Sequence, residues 1–226
     1  MCFKILYVSA TKTESDILKQ IPGIMVQQDC YRFNHNEINP LITGVGSVAT
    51  AWTMKQWFSS NMKPDLVINA GIAGSYREDL YIGEVVIPVS DCFADAGVEN
   101  GNDFLTLDEA GLCGSDNFPF TSGQIVCSNK YTDLAVKHLR SVHAITVNTA
   151  TGSEMTIKKL TEKFNPDIET MEGATFFYIC AREKVPFLAM RAVSNLVEPR
   201  DMSKWNIPVA LNNLSEKLKD FLLTLE

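Results

Sequence analysis

Histidine is scarce in this chain, and closely paired cysteines are missing. The three histidines, His35, His138 and His143, form no H-E-x-x-H or other ligand spacing, so a metal centre is not expected. The six cysteines, Cys2, Cys30, Cys92, Cys113, Cys127 and Cys180, include no C-x-x-C pair. In a chain of this length that scatter argues against a disulfide framework and reads as reduced, mostly buried thiols. Long apolar runs are absent too: none approaches the roughly 20 residues that cross a bilayer. Residues 1–8, MCFKILYV, lack the charged start, extended apolar stretch and small-residue cleavage site of a secretory leader. A cytoplasmic protein is therefore expected. Positive charge is also in deficit: 20 Lys and Arg stand against 27 Asp and Glu, a net charge of −7. That balance argues against nonspecific binding to nucleic acid or to an anionic membrane, and leaves small anionic ligands open.

What is present is apolar material for a core. Hydrophobic residues make up 46% of the 226 residues, enough to rule out a disordered chain. An apolar run at 3–8 reads as a first strand, followed by a polar turn at 9–13 and the first turns of a helix at 14–20. Segments 29–33 and 37–42 suggest a hairpin about 34–36. A glycine turn at 44–47 leads into a helix to about residue 61. A strand at 66–70 is followed by a second glycine turn at 71–74 and another strand at 84–89. Residues 94–123, rich in Gly, Asp and Asn, form a long excursion of the kind that is often functional. Beyond it the pattern predicts strands near 124–127, 144–148, 167–171 and 187–193. Helices are predicted near 130–140, 154–164 and 173–183, with an amphipathic helix from about 208. Alternating strands and helices predict an α/β fold with a largely parallel sheet. No linker or repeat divides the chain, so a single domain over residues 1–226 is expected. Such sheets bind ligands at the carboxyl ends of their strands, where the polar clusters of this sequence fall.

Each cluster has a plain structural reading beside a functional one. Gly44-Val45-Gly46-Ser47-Val48-Ala49 fits G-x-G-x-x-G/A between a strand and a helix, as in a dinucleotide site. The next strand ends in Asn69-Ala70, without the acid that would hold a ribose. A tight turn with close helix–strand packing is the preferred reading. In 69–74 the backbone N–H groups of Ile72, Ala73 and Gly74 either face a ligand oxygen or merely turn the chain. Glu14 sits in the first turn of a helix, where a carboxylate is favoured by a few tenths of a kcal/mol regardless of function. Glu172 lies between apolar segments and needs a partner, such as sugar hydroxyls or Arg191. Asn195 alone is a turn-capping residue.

Together these stretches carry a resemblance. "ILYVSATKTES" (5–15), "GVGSVATA" (44–51), "PDLVINAGIAGS" (64–75), "IGEVVIP" (82–88), "IETMEGAT" (168–175) and "VPFLAMRAVSNLVE" (185–198) run in the order found in the nucleoside phosphorylase/nucleosidase superfamily. The chain resembles most its methylthioadenosine/S-adenosylhomocysteine nucleosidase branch. The resemblance implies a single three-layer α/β/α domain on a central mixed, largely parallel sheet. It also implies no cofactor and a homodimer or higher homo-oligomer. By the same resemblance Glu14 stands where a glutamate activates water. Glu172, with Met171 beside it, stands where the ribose is bound, and Asn195 stands where the adenine-specific enzymes carry an aspartate that protonates N7. Arg191 and Ser194 support that loop, and 148–153, ending in Ser153, lines the base.

The amide at 195 changes the expected substrate. An amide NH2 donates to both N7 and O6 of a 6-oxopurine, whereas adenine pairs N7 with a 6-amino donor. A polar mismatch in a buried site costs orders of magnitude in rate. Hypoxanthine or guanine is therefore expected over adenine. "SNLVEPRDMSKWNIP" (194–208) and "NTATGSE" (148–154) resemble the futalosine hydrolases, which implies hydrolysis of futalosine to hypoxanthine and dehypoxanthine futalosine for menaquinone synthesis. Arg77 or Arg200 would meet the carboxylate of such a substrate, and Phe104, Phe118 and Phe120 would close over its aromatic group. The rivals are an adenine-releasing nucleosidase, a phosphorylase, an inactive nucleoside-binding protein and an NAD-binding protein.

Overall fold

The computed structural model describes residues 2–28, 30–101 and 103–225. Asp29, the first residue of the expected hairpin, and Asn102, inside the 94–123 excursion, lie outside the described residues, as do Met1 and Glu226. The strands are β1 (Phe3–Ser9), β2 (Met25–Gln27), β3 (Cys30–Phe33), β4 (Asn36–Ile42), β5 (Leu66–Ser75), β6 (Val85–Asp91), β7 (Gly97–Asn100), β8 (Asp103–Thr106), β9 (Phe120–Thr121), β10 (Gln124–Val126), β11 (Arg140–Thr146), β12 (Ile168–Thr170) and β13 (Phe187–Leu196). The helices are α1 (Lys12–Ser15), α2 (Ser47–Ser60), α3 (Lys130–Ala135), α4 (Glu154–Phe164), α5 (Gly173–Glu183) and α6 (Ile207–Leu223). No helix among the described residues is long and apolar enough to cross a membrane.

A mixed sheet forms the centre. β1 pairs in parallel with β4 and β5, β5 with β13, and β11 with β6 and β12. The hairpin edge and the β9–β10 edge are antiparallel. β12 runs antiparallel to β5, and β13 pairs with both β5 and β6, so β5, β12, β11, β6 and β13 close on one another in a ring.

Side chains alternate across this sheet with period two, and each face is covered by helices. Ile5, Tyr7, Ile68, Leu188 and Met190 pack with Leu211, Leu214, Leu218 and Phe221 of α6. Their neighbours Leu6, Val8, Val67, Phe187 and Ala189 pack on the opposite face with Met54 and Phe58 of α2 and Phe176, Phe177 and Cys180 of α5. This makes the three layers. Strands buried on both faces read as continuous apolar runs, which is why they are legible in the sequence. Helix ends carry their own signals. The Ser153 hydroxyl accepts from Thr156 N–H at the start of α4, and left-handed Asn165 closes it before Pro166. Asn206 caps α6, which has Pro208 in its first turn.

Three expected elements differ. Residues 71–74 are no turn: β5 continues through them, paired Gly71 to Arg191, Ala73 to Val193 and Gly74 to Asn195. Ser194 and Asn195 likewise lie inside β13 rather than beyond its end. The expected helix at 130–140 stops at Ala135, because the chain must reverse there for Arg140 to begin β11 against Val86.

Phe176 is fully buried and meets Phe187 edge-on at 5.7 Å. Phe176→Ala is expected to lower unfolding free energy by about 3–5 kcal/mol, read from urea titration with an unchanged m-value.

Candidate active site

Glu14 closes α1 against the sheet. Thr11 and Glu14 form a reciprocal capping box, the Thr11 hydroxyl and N–H donating to Glu14 Oε2 at 2.8 and 3.0 Å. That accounts for one oxygen. The other, Oε1, accepts the Ile72 N–H of β5 at 3.1 Å. The cap is therefore real, but the carboxylate also crosses to a neighbouring strand. It reaches the strand because position 71 is glycine: a Cβ there would stand 2.5 Å from Glu14 Oε1.

Glu172 precedes α5 and accepts the Gly46 N–H at 2.8 Å through Oε1. Burial pushes its carboxyl above the ordinary value. The Gly46 N–H and the Arg191 guanidinium pull the other way, and the charge of Glu14 adds to the rise. This bond also settles the glycine motif. The N–H that a dinucleotide phosphate would need at the start of α2 already faces a carboxylate.

Asn195 follows a register shift in β13 between Val193 and Asn195, the kind of irregularity that re-aims a side chain. Its Nδ2 donates to the Leu196 carbonyl at 2.8 Å, and the Ser194 hydroxyl donates to its Oδ1 at 2.8 Å. Leu196 O offers only lone pairs, which fixes the amide nitrogen on that side. One amide hydrogen is left over. The sequence reading assigned two to the base.

These groups line one cavity of about 180 Å³ together with Ile72, Ala73, Gly74, Met171, Thr151, Glu169 and Trp205. The polar clusters at 11–14, 71–74, 148–153, 171–172 and 194–195 each contribute lining residues, and Val45 and Trp205 add two further segments. Two expected members do not line it. Ser153 is exposed and capping α4, while its neighbours Ala150 and Thr151 reach the cavity wall. Arg191 is buried behind the wall and donates through Nη2 to Asn69 Oδ1, with Nε unpartnered among the described residues. The excursion at 94–123 does not cover this cavity either. Phe104 packs on Phe164, Phe120 on Tyr178, and Arg182 lies over Phe118. A separate cavity of about 270 Å³ beneath that excursion shares no lining residue with the first.

Residues 10–223 match the Phosphorylase superfamily. The chain belongs to this family. A futalosine hydrolase of Streptomyces coelicolor is 31% identical over 153 residues, which covers 67% of this chain and 63% of that protein. That alignment spans less than two thirds of the relative's length. A 5'-methylthioadenosine/S-adenosylhomocysteine nucleosidase of Buchnera aphidicola subsp. Schizaphis graminum is 27% identical over 206 residues, 83% of this chain and 79% of that protein. The solved futalosine hydrolase of Helicobacter pylori strain 26695 shares the fold, with a TM-score of 0.80 at 17% identity and 99% of both chains covered. Both named relatives in this superfamily are nucleosidases, enzymes that hydrolyse N-glycosidic bonds.

Two buried acids escaped the sequence reading, Glu169 on the cavity wall and Asp91 outside its lining. Glu169 lies in the three-residue strand β12, where an acid between buried neighbours was the available signal. Asp91, at the end of β6, had none. Its Oδ1 accepts the Thr146 hydroxyl at 2.9 Å, and its Oδ2, unpartnered among the described residues, lies at the start of α5, where a Cβ on Gly173 would stand 2.1 Å away. Burial pushes Asp91 up to about 7, against the pull of the Thr146 hydroxyl and Arg191 and with a push from Glu172. An unfolded aspartate ionises at its ordinary pKa of 3.8, the folded Asp91 at about 7. Between those values the folded chain holds a proton that the unfolded chain has lost, so this group's contribution to stability falls as pH rises. Asp91→Asn, which cannot ionise, is expected to gain stability over the parent at pH 8 relative to pH 4. Urea titrations at the two pH values measure that gap, and a pH-independent gap refutes the assignment.

Proposed function

We propose that this chain is a purine nucleosidase that hydrolyses the N-glycosidic bond of a 6-oxopurine nucleoside. The substrate we favour is futalosine, giving hypoxanthine and dehypoxanthine futalosine on the route to menaquinone. The observation that carries this reading is the meeting of Glu14, Glu172 and Asn195, from three distant parts of the chain, at one cavity.

Glu14 acts as general base on a water. Its carboxylate is aligned by donors from Thr11 and Ile72; the two Thr11 bonds fill Oε2, and Oε1, with only the Ile72 bond, keeps a lone pair for the water's proton. Glu172 grips the ribose hydroxyls and supplies negative charge beneath the oxocarbenium-like sugar, while Met171 packs against the ring. Ile72, Ala73 and Gly74 form the flat wall along the base. The remaining Asn195 hydrogen is donated to the base. An amide has no acid proton to give, so the leaving base must carry its own charge, and O6 of a 6-oxopurine absorbs it.

The substrate carboxylate is assigned to Arg200. Its guanidinium stacks 5.8 Å from the Trp205 ring, and Trp205 lines the cavity. Arg77 is occupied by Asp79 and Asp167 at 3.2 and 3.4 Å. The proposal further places the chain in the cytoplasm as a single-domain homodimer. A phosphorylase is disfavoured because Glu14 and Glu172 line the cavity and no lysine or arginine does among the described residues. Adenine release stays the second reading, favoured by the Buchnera relative, whose alignment covers more of this chain.

Incubation with futalosine, inosine, methylthioadenosine and S-adenosylhomocysteine, with and without phosphate, tests this by chromatography of released base. Phosphate-independent hypoxanthine release from futalosine is expected. Adenine release from the other two refutes the base assignment. Glu14→Gln is expected to lower kcat by about 100-fold or more and Asn195→Ala by about tenfold or more, each at unchanged Tm.

A further inference from the structure

Beside Asn195 the cavity holds a carboxylate that the mechanism above does not use. Glu169 is 7% exposed and lines the cavity wall. A buried carboxylate on a strand needs hydrogen-bond partners to persist. Glu169 has two: the Tyr76 hydroxyl donates to Oε2 at 2.7 Å and the Thr151 N–H to Oε1 at 2.9 Å. Burial and the Glu169 charge both raise Tyr76 far above its ordinary pKa, so its hydroxyl stays a donor. The carboxylate is thus held in one orientation, and each oxygen has a lone pair to spare.

Its neighbour has the opposite polarity. Gly74 lies beside both: a Cβ there would lie 2.9 Å from Val197 Cγ2, 3.3 Å from Asn195 Nδ2 and 3.5 Å from Glu169 Cγ. With Oδ1 and one hydrogen of Asn195 engaged by Ser194 and Leu196, that amide presents a single N–H. The wall at Gly74 therefore offers one donor next to one acceptor. The lack of a side chain at 74 lets Val197, Asn195 and Glu169 close up there, which brings the amide and the carboxylate to the same stretch of wall.

We propose that Glu169 is a specificity-determining residue that accepts N1–H of a 6-oxopurine while Asn195 donates to O6. The assignment rests on the reading of the cavity as a purine nucleoside site. A 6-oxopurine carries its carbonyl acceptor next to an N–H donor, matching Asn195 and Glu169 in that order. Adenine reverses both groups on the same edge, setting an amino donor against an N–H and a ring acceptor against a carboxylate. It matches only by turning N7 and its 6-amino group toward the pair.

The test is calorimetric binding of hypoxanthine, 1-methylhypoxanthine and adenine to the whole protein, parent and variant. The parent is expected to bind hypoxanthine about tenfold or more tighter than 1-methylhypoxanthine, which has lost the hydrogen. In Glu169→Met, which removes both acceptor oxygens at similar length, that ratio is expected to fall below about threefold. A ratio that survives in Glu169→Met means the methyl group is excluded by shape, and the proposal is overturned. Equal binding of both bases by the parent overturns the role of Glu169 and leaves the 6-oxopurine reading standing. Adenine bound in place of hypoxanthine, or no binding of hypoxanthine at millimolar concentration, overturns both. Should Glu169→Met fail to fold, Tyr76→Phe removes the hydroxyl that orients the carboxylate. The ratio then falls at least about twofold if Glu169 reads N1–H, and an unchanged ratio counts against it.

Discussion

Two ten-residue strands, β5 and β13, lie side by side in parallel, and the site depends on that pairing. The ladder brings 71–74 alongside 191–195 in a fixed register. The β5 half of this stretch is Gly-Ile-Ala-Gly, so side chains from elsewhere can reach its backbone. Glu14 uses the space at Gly71, and Glu169 and Asn195 flank the space at Gly74. Larger residues would keep the ladder and fill the space that the three polar groups occupy. The same two strands bury apolar side chains on both faces, under α6 on one side and under α2 and α5 on the other. Rigidity of the core and openness of the wall thus come from one pairing.

A second constraint is electrostatic. Glu14, Glu169 and Asp91 are buried and Glu172 is half-buried, in a part of the molecule with one buried guanidinium, Arg191. Backbone N–H groups share the work of holding these acids: Ile72 for Glu14, Gly46 for Glu172, Thr151 for Glu169. Each comes from a different loop or strand, so the acids cannot be satisfied until the sheet is assembled. Asp91 is held by one hydroxyl and one backbone group, and burial pushes it up to about 7. The cavity itself is lined by Glu14, Glu169 and Glu172, a wall of carboxyl groups that repels phosphate and favours cationic character developing on a sugar.

Much of this was legible in the chain. The strands buried on both faces announced themselves as apolar runs, and α4 and α5 form over the ranges expected of them, 154–164 and 173–183. The α/β class followed from their alternation. Glu14, Glu172 and Asn195 were found at strand ends, where such sheets bind ligands. The short strands β2, β7, β8 and β9 were not legible: two to four residues with polar or exposed side chains carry no period to read. The glycines at 71–74 were misread as a turn because glycine permits one. Pairing to β13 stabilised the extended form instead, a long-range effect with no local signature.

The sequence by itself determined the layers, the order of elements and the family, because periodicity, caps and segment order are local properties of the chain. Only the tertiary structure decided how many hydrogens Asn195 has to give, that Arg191 stands behind the wall, that Ser153 is spent on a helix cap, and that Glu169 faces the cavity. Each of those depends on a partner contributed by another segment. Glu172 meets Gly46 across 126 positions, and Glu169 meets Tyr76 across 93. A residue's type sets which bonds it can make, but the packed fold selects which of them are made.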